Sequence, residues 1–357
     1  MHCPTLTELP PPPTGKSGWP WTAETSAKAC FISEGKPCPR LSIITPSYNQ
    51  AQFLEETIRS VLLQGYPDLE YWIIDGGSKD GSVDIIKKYE KWLAGWVSER
   101  DNGQAEAINK GLRLSKGTIK AYLNSDDAYQ PGTLFRVISF FSENNNIDIV
   151  YGNFEVINED RQIRYTNEAP EFDIEKLLMR DYICQPTVFW RNAVHERIGL
   201  FREDLHFVMD YEFLLRSAII GKFRFAKIDG DPIATIKIWH GAKTSNKSDT
   251  CLEEEHDVLE NIFDHPLMPI ELRKLRNKSI AQTYFDFSYS RYLSFDMRAA
   301  RRVLFQAANI NNKLIYRPSC WSLYCKTMLG SRLSLYARNL RWIWRIYRQK
   351  KKYLQIQ

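Results

Sequence analysis

Leu41-Ser42-Ile43-Ile44-Thr45, closed by Pro46, decides the fold. Its length and β-branching mark a strand buried on both faces. Phe53, Leu54, Ile58, Val61 and Leu62 follow at helical spacing. Tyr71-Trp72-Ile73-Ile74 then repeats the strand signal and ends at Asp75. The alternation continues through a helical stripe at Val83, Ile86, Tyr89 and Trp92, a short strand at 96–98, and a stripe at Ala105, Ile108 and Leu112. A strand over 118–123, a helix opened by Pro131 with Leu134, Ile138 and Phe141 on one face, and a strand over 148–151 complete the series. Strands separated by helices of roughly a dozen residues predict an α/β fold with a mostly parallel, Rossmann-like sheet flanked by helices. The sheet is expected to end near Gly152. Residues 153–260 read as mixed, with strands at 187–190 and 233–239 flanking a helix over about 209–220.

Outward from this core, residues 1–39 are rich in Pro, Ser, Thr and Gly and predict an irregular leader. Residues 40–260 form the expected catalytic domain, and 261–357 a helical extension ending in a basic amphipathic segment. The 357 residues are 43% hydrophobic and 25% charged, which excludes a wholly disordered chain. Seven cysteines at irregular spacing, with no CxxC pair, argue against a disulfide framework or structural zinc and for a reducing compartment. The first residues lack a signal-peptide core, and no apolar run approaches the ~20 residues that span a bilayer. The expected location is the cytoplasm, with a peripheral position on the cytoplasmic face of the inner membrane.

In an open parallel sheet, ligands bind beyond the carboxyl ends of the strands. Those ends carry Thr45-Pro-Ser-Tyr-Asn49, Asp75, Asp101-Asn-Gly-Gln104 and Asn124-Ser-Asp-Asp127. Three strands deliver carboxylates to one rim, where they repel one another and raise each other's pKa. A Mg²⁺ or Mn²⁺ ion bridging a diphosphate relieves that cost.

Thr45-Pro-Ser-Tyr-Asn-Gln50, Asp75-Gly-Gly-Ser-Lys-Asp-Gly-Ser82, the stretch from Gly103 to Gly111, and Asn124-Ser-Asp-Asp127 together resemble the successive motifs of the family 2 glycosyltransferases, which have the GT-A fold. The nearest resemblance is to enzymes of O-antigen and exopolysaccharide assembly with Asp-Gly-Gly-Ser in place of Asp-Asp-Gly-Ser. It covers about residues 40–245. The resemblance implies that Thr45, Pro46, Tyr48 and Asn49 line the base and ribose and that Asp75 accepts a hydrogen bond from the base, usually uracil. It implies that Asp101 and Gln104 approach the donor sugar or diphosphate, that Asp127 ligates the cation, and that Asp126 faces ribose or sugar. Gly76 stands where a second carboxylate would lie, which leaves the nucleotide open. Met209-Asp-Tyr-Glu212 resembles the acidic motif that carries the general base. Glu212 has Arg216 at i+4 as a solvent pair, whereas Asp210 matches the motif position and is the expected base. Trp239-His-Gly-Ala-Lys-Thr-Ser245 resembles a loop closing over the diphosphate. There His240 is a candidate metal ligand and Lys243 a candidate partner of the leaving group. Gln185-Pro186 resembles a loop near the acceptor.

The expected reaction is an inverting, metal-dependent transfer from a nucleotide-diphosphate sugar, with UDP favoured, to a hydroxyl of a glycan or lipid-linked acceptor in polysaccharide biosynthesis. The alternatives are a catalytically silent carbohydrate-binding or scaffold protein and a sugar nucleotidyltransferase. The latter is disfavoured because no Gly-rich, basic phosphate loop follows the first strand. Plain structural roles compete at single positions: Ser78 or Asp80 as helix caps, Asp126-Asp127 as a turn, Asp210 at a helix dipole, and His240 and Lys243 as solvated side chains. Residues 331–357 carry no acidic residue and mix Arg and Lys with Trp, Ile and Leu. This segment reads as a solvated helix, a nucleic-acid binder or an anionic membrane anchor. The anchor is favoured, and no nucleic acid is expected because no recognition motif accompanies the charge.

Overall fold

The structure, a computed structural model, describes residues 3–25, 38–239, 241 and 248–328. The chain divides into two units. One comprises Met1–Leu177, Asp181–Asn246 and His265–Pro269, the other Leu178–Arg180, Lys247–Asp264 and Ile270–Gln357.

The first unit holds eleven strands among its described residues: β1 (Leu41–Ser47), β2 (Leu69–Asp75), β3 (Gly95–Ser98), β4 (Ile119–Tyr122), β5 (Ala128–Tyr129), β6 (Ile149–Gly152), β7 (Phe154–Ile157), β8 (Ile163–Asn167), β9 (Phe189–Arg191), β10 (Phe225–Ile228) and β11 (Ala234–Lys237). Its helices are α1 (Ala51–Leu62), α2 (Ser82–Tyr89), α3 (Gln104–Leu114), α4 (Thr133–Glu143), α5 (Ile174–Met179, whose last two residues belong to the second unit), α6 (Ala193–Ile198) and α7 (Met209–Ile219). The main sheet has the order β10-β6-β9-β4-β1-β2-β3, and a smaller sheet has the order β5-β11-β7-β8. β1 is central, parallel to both β2 and β4, and every one of its residues is buried. That double burial is why it reads as a continuous apolar run; fully burying each of Leu41, Ile43 and Ile44 is worth about 1.5–3 kcal/mol. Helix α3 lies close over this strand because residue 111 is Gly: a Cβ there would stand 2.5 Å from Ile44 Cγ2.

The sheet does not end at Gly152. β10 extends it in parallel beside β6, and the three-residue β9 inserts antiparallel between β4 and β6. The described part of the leader, residues 3–25, contains turns and no helix or strand. It is pinned by the fully buried Arg59 of α1, whose guanidinium donates to the carbonyls of Pro10, Pro20 and Trp21. Cys38 is disulfide-bonded, whereas Cys3, Cys184, Cys251, Cys320 and Cys325 are free. The irregular cysteine spacing gave no sign of that bond.

The second unit is helical: α8 (Asp249–Asp264), α9 (Ile270–Arg273), α10 (Arg276–Leu293), α11 (Met297–Ile310) and α12 (Pro318–Met328). Its core gathers Tyr292, Met297, Ala300, Leu304, Ala307, Leu314, Cys320 and Leu323. Asp296 caps α11 by accepting from the Ala299 N–H at 3.0 Å. No helix among the described residues is long and apolar enough to cross a membrane.

Candidate active site

Strand register builds the rim. Ser47 pairs with Asp75, and Asp75 with Ser98, so three strand ends finish level. The buried Asp75 carboxylate ties its own turn. Oδ2 accepts from the backbone of Gly77 (3.0 Å) and Ser78 (2.9 Å) and from Ser98 Oγ (2.7 Å), and Oδ1 accepts from Ser78 Oγ (2.5 Å). The turn after β1 is stitched to it. Asn49, at φ 51°, donates its N–H to Ser78 Oγ (2.7 Å) and accepts from the Lys79 N–H (3.0 Å). Helix α1 has no side-chain cap of its own; Asp80 supplies one by accepting from the Ala51 N–H at 2.9 Å. Thr45 faces the interior, where its hydroxyl meets the Tyr71 hydroxyl at 3.0 Å. Pro46 is buried, and Tyr48 leaves 62% of its surface exposed.

Gly76 has a spatial reason. A Cβ at that position would lie 2.9 Å from Asp101 Oδ2, so the bare backbone admits the Asp101 carboxylate from the end of β3. Asp101 also accepts from the Gly103 N–H (3.1 Å), and its pKa is raised, chiefly by burial and further by Glu106 and Asp75.

At the end of β4, Gln104 Nε2 donates to Asn124 Oδ1 (2.6 Å), and Asn124 Nδ2 reaches Gln185 Oε1 (3.3 Å) and Asp127 Oδ2 (3.4 Å). Gln185 Nε2 in turn holds the Tyr122 carbonyl (2.8 Å). Thr57 of α1 fixes the turn by hydrogen bonds to the carbonyls of Ser125 and Asp127. The Asp127 side chain is buried, and its pKa stands well above the usual carboxylate range. Burial is the first cause and the charge of Asp126 the second; hydrogen bonds from Asn124 and the backbone of Lys237 pull it partly back.

Asp126 Oδ2 accepts from Trp239 Nε1 at 2.8 Å. Trp239 packs on Phe53 with ring centroids 5.0 Å apart. Lys237 stands 4.6 Å over the same Phe53 ring and pairs with the buried Glu56 at 3.0 Å. The end of β11 is therefore anchored to the carboxylate turn just before the segment bearing His240 and Lys243, two expected site residues that lie outside the described residues.

Asp210 sits in the first turn of α7, half-buried, with Oδ1 accepting from the Tyr211 N–H (2.9 Å). After burial, the charges of Asp210, Asp181 and Asp127 all push the Tyr122 hydroxyl up, and the same three act on the Cys184 thiol. Two acids expected to share the site thus bear on common groups although 83 positions separate them in sequence. Glu212 goes elsewhere. It is buried rather than solvated, and both carboxylate oxygens bond Arg216 (2.7 and 2.9 Å), which also donates to the Leu200 carbonyl.

Four neighbours were not foreseen. Asp181 joins the acidic group through the interactions above. Ser47 Oγ is buried in the rim and has no hydrogen-bond partner. Trp239 holds Asp126. His206 packs on Gly103, its Nδ1 standing 3.5 Å from where a Cβ would be. Ser47 had a signal in sequence as the polar residue closing an apolar strand, and Trp239 as the first residue of the loop from 239 to 245; Asp181 and His206 meet the site across long separations.

Among the described residues, no three His, Cys, Asp or Glu side chains gather as a metal site by themselves. A Mg²⁺-type cation commonly uses one or two carboxylates and takes its other ligands from substrate phosphates and water. A buried Asp127 whose ionisation is opposed by an adjacent acid fits that kind of shared site.

The profile described as Glycosyl transferase family 2 matches residues 42–219, which span the rim, the carboxylate turn and α7. A PGL/p-HBAD biosynthesis glycosyltransferase of Mycobacterium tuberculosis is 32% identical over 182 residues, covering 50% of this chain and 69% of that protein. The chain belongs to glycosyltransferase family 2. A second relative in Rickettsia prowazekii, an uncharacterized glycosyltransferase, is 30% identical over 229 residues, covering 62% of this chain and 70% of that one. Among solved structures, Staphylococcus aureus TarS 1–349 in complex with UDP-GlcNAc superposes with a TM-score of 0.58 at 19% identity, over 81% of this chain and 90% of that one. The mannosyltransferase PcManGT from Pyrobaculum calidifontis, in complex with GDP-Man and Mn²⁺, superposes with a TM-score of 0.55 at 16% identity, over 82% and 84%. At these identities the structural likeness speaks for the GT-A fold. The family 2 membership rests on sequence, and glycosyl transfer is the activity it carries.

Proposed function

We propose that this glycosyltransferase is an inverting, cation-dependent enzyme that moves a sugar from a nucleotide diphosphate, with UDP favoured, to a hydroxyl of a glycan or lipid-linked acceptor in polysaccharide assembly. The observation that carries the reading is the buried Asp127 with its raised pKa, bearing with Asp210 on the same Tyr122 and Cys184 side chains. Asp127 and His240 would hold the cation, which when bound would offset the charge of the departing diphosphate. Tyr48 offers an exposed ring to a base. Asn49, Thr45 and Pro46 shape the turn beneath it, and Ser47 offers an unpartnered hydroxyl. Asp75 Oδ1 accepts one bond in the turn and retains capacity for another from the base. Asp101 and Gln104 face the sugar–diphosphate side, Lys243 takes phosphate charge, and Asp126 is held by Trp239 while flanking the ribose or sugar.

Asp210 removes the proton of the acceptor hydroxyl as that oxygen attacks the anomeric carbon. The bond to the diphosphate breaks on the opposite face, through a transition state with oxocarbenium character. Support for Asp210 over Glu212 comes from Glu212 being bound on both oxygens to Arg216. Residues 331–357, outside the described residues, are proposed to meet an anionic membrane surface, which would place the enzyme peripherally on the cytoplasmic side. The bound relatives support a nucleotide-sugar donor, with UDP-GlcNAc in one and GDP-Man in another.

The test is product analysis with a panel of UDP- and GDP-sugars and Mn²⁺. A glycosidic product of inverted anomeric configuration from a UDP-sugar is expected. Retained configuration, or transfer from GDP-sugars alone, contradicts the reading.

A further inference from the structure

Charge is strongly polarised along this chain. From Met297 to the C-terminus there are fourteen Lys and Arg, six of them before Leu329, and no Asp or Glu. The first 296 residues therefore hold 34 of the 48 basic and all 43 acidic residues, a net charge of −9 against +14 in the last 61.

The described part of that basic stretch exposes an aromatic face. Helix α11 leaves Phe305 57% exposed, and α12 leaves Trp321 and Met328 59% and 60% exposed. Tyr324, half-buried against the core of this unit, borders them, its ring edge-on to Phe305 (5.9 Å) and to Trp321 (6.2 Å). Trp321, Tyr324 and Met328 fall on one side of α12 by the i, i+3, i+7 rule, while Leu323 and Cys320 turn into the core. On α11, Arg298 and Arg302 are exposed and share the stripe of Phe305, seven and three positions before it. Arg302 also stands 3.7 Å from Asp249 of α8, an exposed pair of the kind that contributes little and leaves the guanidinium able to meet a headgroup. Arg301 ties the two helices by donating to the Thr327 carbonyl at 2.7 Å.

We propose that this α11–α12 face docks on an anionic phospholipid bilayer, with Phe305, Trp321 and Met328 in the interface and Arg298 and Arg302 at the headgroups. Charge selects the occupant. The same face of a second copy presents the same arginines and is repelled. A nucleic acid would satisfy the arginines but leave the apolar side chains in water. An anionic bilayer satisfies both, because aromatic side chains favour the interface and basic ones the negative surface. The proposal builds on the membrane reading of residues 331–357, and its test separates the two.

Flotation of the full chain with vesicles of phosphatidylcholine, with and without phosphatidylglycerol, reads the binding without any sugar substrate. The wild type is expected to float only with phosphatidylglycerol present and to be released by salt. Phe305→Ala with Trp321→Ala, and separately Arg298→Glu with Arg302→Glu, are each expected to weaken binding by roughly tenfold or more while the far-UV spectrum is unchanged. Undiminished flotation of both variants overturns the proposal, even where removal of 331–357 releases the protein; that pattern leaves only the terminal segment as the anchor. Equal binding to neutral vesicles, or variants that change the oligomeric state while flotation persists, overturns it as well.

Discussion

Asp210→Asn is expected to lower kcat by roughly 10²–10⁴-fold, or about 3–5.5 kcal/mol of transition-state stabilisation. Asparagine keeps the size and the place in the first turn of α7 but cannot take a proton from the acceptor. Donor binding is expected to stay near that of the wild type, because the base acts on the acceptor side. Glu212 provides the contrast. Glu212→Gln breaks a buried pair with Arg216, and breaking such a pair costs about 3–5 kcal/mol of stability. That variant is expected to fold less stably, with turnover per folded molecule little changed. Single-turnover measurements on both variants, corrected for the folded fraction by circular dichroism, check the pair. Full turnover in Asp210→Asn would move the base elsewhere.

Asp127→Asn is expected to make the protein more stable and less active. Burial and the adjacent Asp126 hold the Asp127 pKa well above the usual carboxylate range, so its ionised form is disfavoured in the folded state. For a group whose folded pKa is raised, the associated stability is complete below the unfolded pKa and is lost as pH rises through the folded one. Asparagine suffers no such loss. The Tm difference between variant and wild type should therefore be smallest in acid and grow in favour of the variant toward neutral pH. Each kcal/mol recovered corresponds to roughly 2–4 °C in a chain of this size. With Mn²⁺ and UDP added the order should reverse. A ligand at 100 times its Kd stabilises the wild type by about 2.7 kcal/mol, and the variant should gain far less. Its transfer rate should fall by roughly 10² or more. Thermal melts across pH, with and without Mn²⁺ and UDP, read both signs in one series. A variant less stable than the wild type at neutral pH without ligand, or equally shifted by Mn²⁺ and UDP, contradicts this account.

The parallel core was legible because its strands are buried on both faces and so appear as unbroken apolar runs: 41–45 and 71–74 fall inside β1 and β2. β8 gave no such signal, since four of its five residues are exposed. The two-residue β5 and the antiparallel insertion of β9 depend on pairing partners far away in sequence. The strand ends were legible as polar residues closing apolar runs. What Asp75 does there was left open between ligand contact and turn, and its hydrogen bonds give the turn a firm claim on one oxygen. The Asp126–Trp239 bond spans 113 positions, and the packing of Asp101 on Gly76 joins two strand ends; no local pattern announces either. The error over Glu212 has a plain cause. The i, i+4 spacing with Arg216 was read correctly as a pair, but spacing alone does not say which side of a helix faces the core.

The central claim is that carboxylates from separate strand ends share one cation with the donor diphosphate. Anomalous scattering from manganese in crystals grown with UDP tests it most directly. The account predicts a single strong peak within coordination distance of an Asp127 carboxylate oxygen and of the diphosphate. A manganese peak elsewhere, or UDP ordered away from the ends of β1, β2 and β4, contradicts it.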